Sequence, residues 1–146
     1  MKRSRWQNSK GFTLIEIMVV VVILGILAGI VIPKLLDRPE QARRTKAKVE
    51  IKSLEEALNL YKLDNGSYPT TEQGLTALVK KPEVGRIPTS YREGGYLKKL
   101  PADPWGSQYI YLCPGIHDDF DIISYGSDGE PGGNGKNADV DSWELE

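Results

Sequence analysis

Three groups of residues carry side chains whose type and spacing admit chemistry. Glu16 is a lone carboxylate at the edge of an apolar run, since no side chain from Ile17 to Ile32 is polar. In a hydrocarbon span such a carboxylate costs about 2.5 to 3.5 kcal/mol, so it needs a partner, a cavity or escape to the headgroups. Tyr125 to Asp139, YGSDGEPGGNGKNAD, is glycine-rich and carries Asp128, Glu130 and Asp139. Carboxylates and backbone carbonyls are the oxygens that a hard cation takes, and a chain of this kind can fold tightly around an ion. The spacing does not fit an EF-hand, because Glu130, Pro131 and Gly132 follow Asp128 and no glutamate stands at the twelfth position. On the residues alone a flexible acidic tail is the better reading. His117 stands beside Asp118 and Asp119, four positions after the single cysteine, Cys113. They lack an accompanying nucleophile or oxyanion motif, and the chain has no Walker A pattern, so it reads as a non-enzyme.

The elements that position these residues begin with Phe12 to Leu36, which holds roughly the 20 apolar residues that span a bilayer. Ile26 stands where an A-x-A-like cleavage site ending at Ala28 needs a small residue, so the run is expected to stay on the chain. Lys2, Arg3, Arg5 and Lys10 precede it and place the amino terminus in the cytoplasm by the positive-inside rule. Gly25 and Gly29 have the spacing that lets membrane helices approach, and Pro33 removes a backbone donor and allows a kink. Past Pro39, which marks a bend or a first turn rather than a domain boundary, Ala47, Ile51, Leu54, Leu58 and Tyr61 mark one face of an amphipathic helix. Together the two stretches predict one long interrupted helix of about 50 residues, near 75 Å.

Gly66 suits a left-handed helix stop, and Thr70 with Gln73 has capping-box spacing ahead of a short second helix. Lys80 to Leu97, broken by prolines and glycines, reads as an irregular surface loop. Gln108–Leu112 and Phe120–Tyr125 read as a hairpin turning at Cys113-Pro114-Gly115, with Trp105 a packed corner and Trp143 folded back on the sheet. Cys113 reads as a small buried hydrophobe, and one cysteine excludes an internal disulfide. The fold class is α+β: a long helix whose second half packs on a small antiparallel sheet.

In a chain of 146 residues with formal net charge −1, the acid is late. Nine Asp or Glu and one Lys follow His117, which argues against nucleic acid as a partner. About 110 residues remain for one modest globular part after the anchor.

Lys10-Gly11-Phe12-Thr-Leu-Ile-Glu16 resembles the prepilin leader of type IV pilins and of the pseudopilins of type II secretion. YKLDNGSYPTTEQGL (Tyr61 to Leu75), GGYLKKLPADPWGSQY (Gly94 to Tyr109) and FDIISYGSDG (Phe120 to Gly129) are similar to the major pseudopilin, or G subunit, of that system. The resemblance implies that a prepilin peptidase cuts after Gly11 and methylates the new amine of Phe12, giving Glu16 a partner on its own or a neighbouring chain that sets axial register. It implies residues 1–11 as a cleaved leader, 12–36 as the transmembrane and filament-core helix, and 37–146 as a periplasmic head. The chain would be single-pass in the bacterial inner membrane and would enter a periplasmic filament of its own copies with minor pseudopilins. An inner-membrane assembly platform and its ATPase would drive that assembly. The resemblance also implies calcium in the carboxyl-terminal loop, on the side chains of Asp128 and Asp139 and the carbonyl of Tyr125. Ala138 stands where relatives often carry an acid, so Asn137 is the substitute, and the Glu130 carbonyl is an alternative outside that set. Two alternatives are a type IV pilin, disfavoured by the missing cysteine pair, and an anchored calcium-dependent periplasmic binding module.

Overall fold

The computed structural model describes residues 11–36 and 38–145. They divide into two compact units at Arg38–Pro39, so Pro39 marks a boundary as well as a first turn. The leader residues Lys2, Arg3, Arg5 and Lys10, the side chain of Lys34, and Asp37 lie outside the described residues.

The first unit is helix α1, Leu14–Leu36, 23 residues long. Its backbone stays helical through Pro33. Residues 11–29 are exposed throughout, with Phe12, Leu14 and Ile15 at 78%, 79% and 70%. Among the described residues, no helix is long and apolar enough to cross a membrane. The described side chains of α1 end at Gly29.

The second unit is organised by helix α2, Arg38–Asn65. The stripe read from the sequence is the buried face: Ala47, Ile51, Leu54 and Leu58 are fully buried and Tyr61 nearly so. The helix stops where Gly66, at φ 79°, returns its N–H to the Lys62 carbonyl at 2.7 Å, a left-handed conformation that glycine reaches without strain. Thr70 and Gln73 then form the expected capping box, each backbone N–H donating to the other's side chain at 3.0 and 3.3 Å. The box leads into a single 3₁₀ turn, Leu75–Leu78, shorter than the helix expected.

Residues 80–97 contain no helix or strand, yet they are fastened. The buried Gln73 amide donates to the carbonyls of Val84 and Arg86, at 2.7 and 3.0 Å. Tyr91 and Tyr96 close against Tyr61 with ring centroids 6.3 and 5.2 Å away.

The sheet has order β1-β2-β3, all antiparallel: β1 Ile110–Leu112, β2 Asp121–Ser124 and β3 Val140–Asp141. The first two strands are shorter than expected and the third was not foreseen. Ile122, Ser124 and Val140 are buried on the face shared with Tyr111, through the pairs Tyr111↔Ile122 and Ser124↔Val140. Trp143 lies in a 3₁₀ turn, Ser142–Glu144, directly after β3 and stacks on His117 with centroids 3.7 Å apart. Trp105 is the packed corner expected, its Nε1 donating to Glu40 at 3.1 Å. Cys113 is only half-buried against the core.

The link between β1 and β2 is longer than a tight turn because Asp121 organises it. Its buried carboxylate accepts the backbone N–H groups of Ile116, His117 and Asp118 and faces His117 Nδ1 at 3.2 Å. Burial alone would raise its pKa, but these donors outweigh it and hold the group below its ordinary 3.8. A depressed carboxylate contributes stability that is present above the unfolded value and lost as pH falls through the folded one. Asp121→Asn should therefore lower the head's thermal midpoint at pH 7, by about 2 kcal/mol or roughly 10 °C. The gap from the unaltered chain should narrow as the melt is repeated toward pH 2; a gap independent of pH would contradict the charge argument.

Candidate functional site

The carboxyl-terminal loop joins β2 to β3, and glycine makes its path possible. At Gly126, buried at φ 66°, a Cβ would come within 3.0 Å of the Ala138 carbonyl oxygen. At Gly133, φ 91°, it would run into the Asn137 backbone carbonyl. The loop is closed on itself by side chains. The Ser127 hydroxyl shares its one proton between the Lys136 carbonyl and Asn137 Oδ1, at 3.1 and 3.0 Å. Asp128 Oδ1 accepts the N–H of Glu130 at 3.3 Å, and Asp139 Oδ2 reaches back to the N–H of Gly132 at 2.8 Å.

Asp128 is exposed, while Tyr125, Asn137 and Asp139 are half-buried. Among the described residues no three His, Cys, Asp or Glu gather as a metal cluster, so an ion here would depend on carbonyl oxygens as well as on two aspartates. The donor set fits a hard cation on one observation: Asp139 Oδ1 is buried and has no hydrogen-bond partner among the described residues. A buried acceptor without a donor costs about 1 to 3 kcal/mol, which a cation would relieve. The same end of the loop crowds carboxylates around the Arg44 guanidinium. Burial, with Asp139 and Glu144 nearby, pushes the Asp141 carboxyl up to about 6, although His117 and Arg44 oppose the shift.

At the other end of the chain, Thr13 and Glu16 form a capping box on α1. The Glu16 carboxylate accepts the Thr13 N–H and the Thr13 hydroxyl caps the Glu16 N–H, both at 3.3 Å. Gly11 and Phe12 are exposed ahead of it. Phe12 carries a peptide nitrogen in this uncleaved chain, so the carboxylate serves the helix's own first donors.

Residues 34–143 match the family model described as type II secretion system (T2SS), protein G. The chain belongs to the type II secretion system protein G family. Residues 6–32 match the prokaryotic N-terminal methylation motif. Type II secretion system core protein G of Pseudomonas aeruginosa is 55% identical over 94% of this chain and 97% of that protein. Its counterpart in Vibrio cholerae is 54% identical over 100% and 98%. The crystal structure of the major pseudopilin from the type 2 secretion system of enterohaemorrhagic Escherichia coli superposes with a TM-score of 0.69 at 46% identity. That match covers 77% of this chain and 92% of the other. In this protein G chain, T-x-x-E at Thr13 to Glu16 could have been read from the sequence. The tie from Arg44 on α2 to the carbonyls of Ala138 and Asp139 could not, since its ends lie 94 and 95 positions apart.

Gly133→Ala should disturb the loop more than Gly129→Ala. Both positions have positive φ, but a Cβ at Gly129 meets nothing within 4 Å, leaving only the backbone penalty of about 1 kcal/mol. Amide exchange across residues 125–139 is the measurement: the first variant should lose protection throughout, the second only near its own position.

Proposed function

We propose that this chain is the major structural subunit of the type II secretion pseudopilus. Prepilin peptidase cleaves it between Gly11 and Phe12 and methylates the new amine, leaving α1 as a single span of the inner membrane with the head in the periplasm. Subunits are then withdrawn from the bilayer and packed through α1 into a periplasmic filament, with minor pseudopilins, the assembly platform and its ATPase as partners. Growth of that filament drives protein export across the outer membrane. The role is mechanical rather than catalytic.

The observation that carries this reading is the bare helix: α1 exposes apolar side chains on every described face. A helix apolar all round is stable only in lipid or among other helices, and the proposed life cycle supplies lipid first and copies afterwards. Glu16 acts at the change of surroundings. Cleavage creates an amine at Phe12, and exchanging the capping box, worth about 1 kcal/mol, for a neighbour's amine fixes the axial step between subunits.

Calcium completes the head in this proposal, held by the side chains of Asp128, Asn137 and Asp139 and the carbonyl of Tyr125, with the Glu130 carbonyl in reserve. When bound it supplies positive charge to a loop whose carboxylates otherwise repel. The chain's own part is to present those oxygens and keep the loop folded.

Intact mass and amino-terminal sequencing of the chain from membranes containing a prepilin peptidase test the reading. The expected product begins at methylated Phe12; an uncut chain, in cells where a control prepilin is processed, overturns it. Glu16→Ala should still be cut and inserted but yield at least tenfold fewer filaments by microscopy. Thr13→Ala, which removes the cap and keeps the carboxylate, should assemble.

A further inference from the structure

Both ends of the carboxyl-terminal loop are tied to the first turns of α2. At the downstream end the half-buried Arg44 guanidinium donates through Nη1 to the Ala138 carbonyl and through Nη2 to the Asp139 carbonyl, the latter at 3.0 Å. At the upstream end the tie is indirect. Glu40 accepts from Trp105 Nε1 at 3.1 Å, and the Trp105 N–H donates to Asp103 Oδ1 at 3.1 Å. The buried Ser124 hydroxyl donates to Asp103 Oδ2 at 2.6 Å and accepts the N–H of Gly126 at 3.3 Å. Glu40 and Arg44 are four residues apart and so share a helix face.

We propose that Arg44 is the positioning residue of the cation loop, fixing the two peptides that flank Asp139 so that the Asp139 carboxylate is aimed before an ion arrives, and coupling ion occupancy to the start of α2. The inference rests on the calcium reading above. The chemistry favours arginine: a planar fork holds two adjacent carbonyls at once, where a lysine ammonium is a single flexible point charge. Arg44 takes one acceptor position on each carbonyl, and the acceptor of residues 138 and 139 that is buried without a hydrogen-bond partner among the described residues is Asp139 Oδ1. That buried, unpartnered Oδ1 is then a preorganised ligand whose backbone is fastened to the helix.

The sign of the effect separates positioning from charge. A cation near a calcium site repels the ion, so if Arg44 acted only through charge, Arg44→Gln would tighten binding. As a positioning residue it does the opposite, and losing such outer support typically weakens metal affinity by 10- to 100-fold. Calcium titration by calorimetry, with amide exchange read on the same samples, tests this on the full chain in detergent micelles. In the unaltered chain calcium should slow exchange both in residues 125–139 and in the first three turns of α2. Arg44→Gln should weaken binding at least tenfold and confine the protection to the loop. Arg44→Lys, which keeps the charge and the aliphatic stem, should remain weakened. Asp128→Ala should abolish the response. Equal or tighter binding by Arg44→Gln, with α2 still protected, overturns the positioning role and leaves the calcium site standing. No calcium response in the unaltered chain overturns both.

Discussion

One apolar stripe on α2 is the wall on which the head is built. Ala47, Ile51, Leu54, Leu58 and Tyr61 recur at helical spacing and vanish from solvent, and truncating any of the larger ones would cost about 2 to 5 kcal/mol. Among the described residues of the head no other element is long enough to supply a core: the strands are two to four residues and the other helical pieces are single 3₁₀ turns. The head therefore consists of short segments laid against one helix. Its order depends on how each is fastened there.

Fastening is mostly by hydrogen bonds to buried or half-buried polar groups rather than by regular ladders. Gln73 holds two carbonyls of the 80–97 segment, Asp121 gathers the β1–β2 link, and Asp103 with Ser124 bridges the sheet to the Trp105 corner. Tyr109 reaches Glu50 on α2 at 2.7 Å, and Tyr111 reaches the Pro69 carbonyl at 2.8 Å. Leaving groups this dry unpaired is costly, so each tie is specific. A chain with a modest core and no disulfide gains in this way a unique arrangement of irregular segments.

The parts legible in the sequence were those governed by short-range rules. The stripe on α2, the stop at Gly66 and the Thr70–Gln73 box each follow from periodicity or local donor satisfaction within a few residues. Strand β3 escaped because Val140–Asp141 is too short to show alternation and is a strand only by pairing with β2. The prolines and glycines of the 80–97 segment mark it as irregular, but its fastening by Gln73 and three tyrosines joins distant positions and leaves no periodic trace. Candidate calcium ligands came from a family resemblance. The capping role of Glu16 lay in plain T-x-x-E spacing but was overshadowed by the cost of a carboxylate beside an apolar run.

The stacked pair His117 and Trp143 has a consequence of another kind. An indole held face to face with an imidazole 14° from parallel sits in an asymmetric surrounding, which is what gives a tryptophan a near-ultraviolet circular dichroism band that disappears when packing loosens. The head holds one other tryptophan, Trp105, fixed by its bond to Glu40. One lies just beyond the downstream end of the carboxyl-terminal loop and the other belongs to its upstream tie. The protein thus carries two built-in chromophores that bracket the loop.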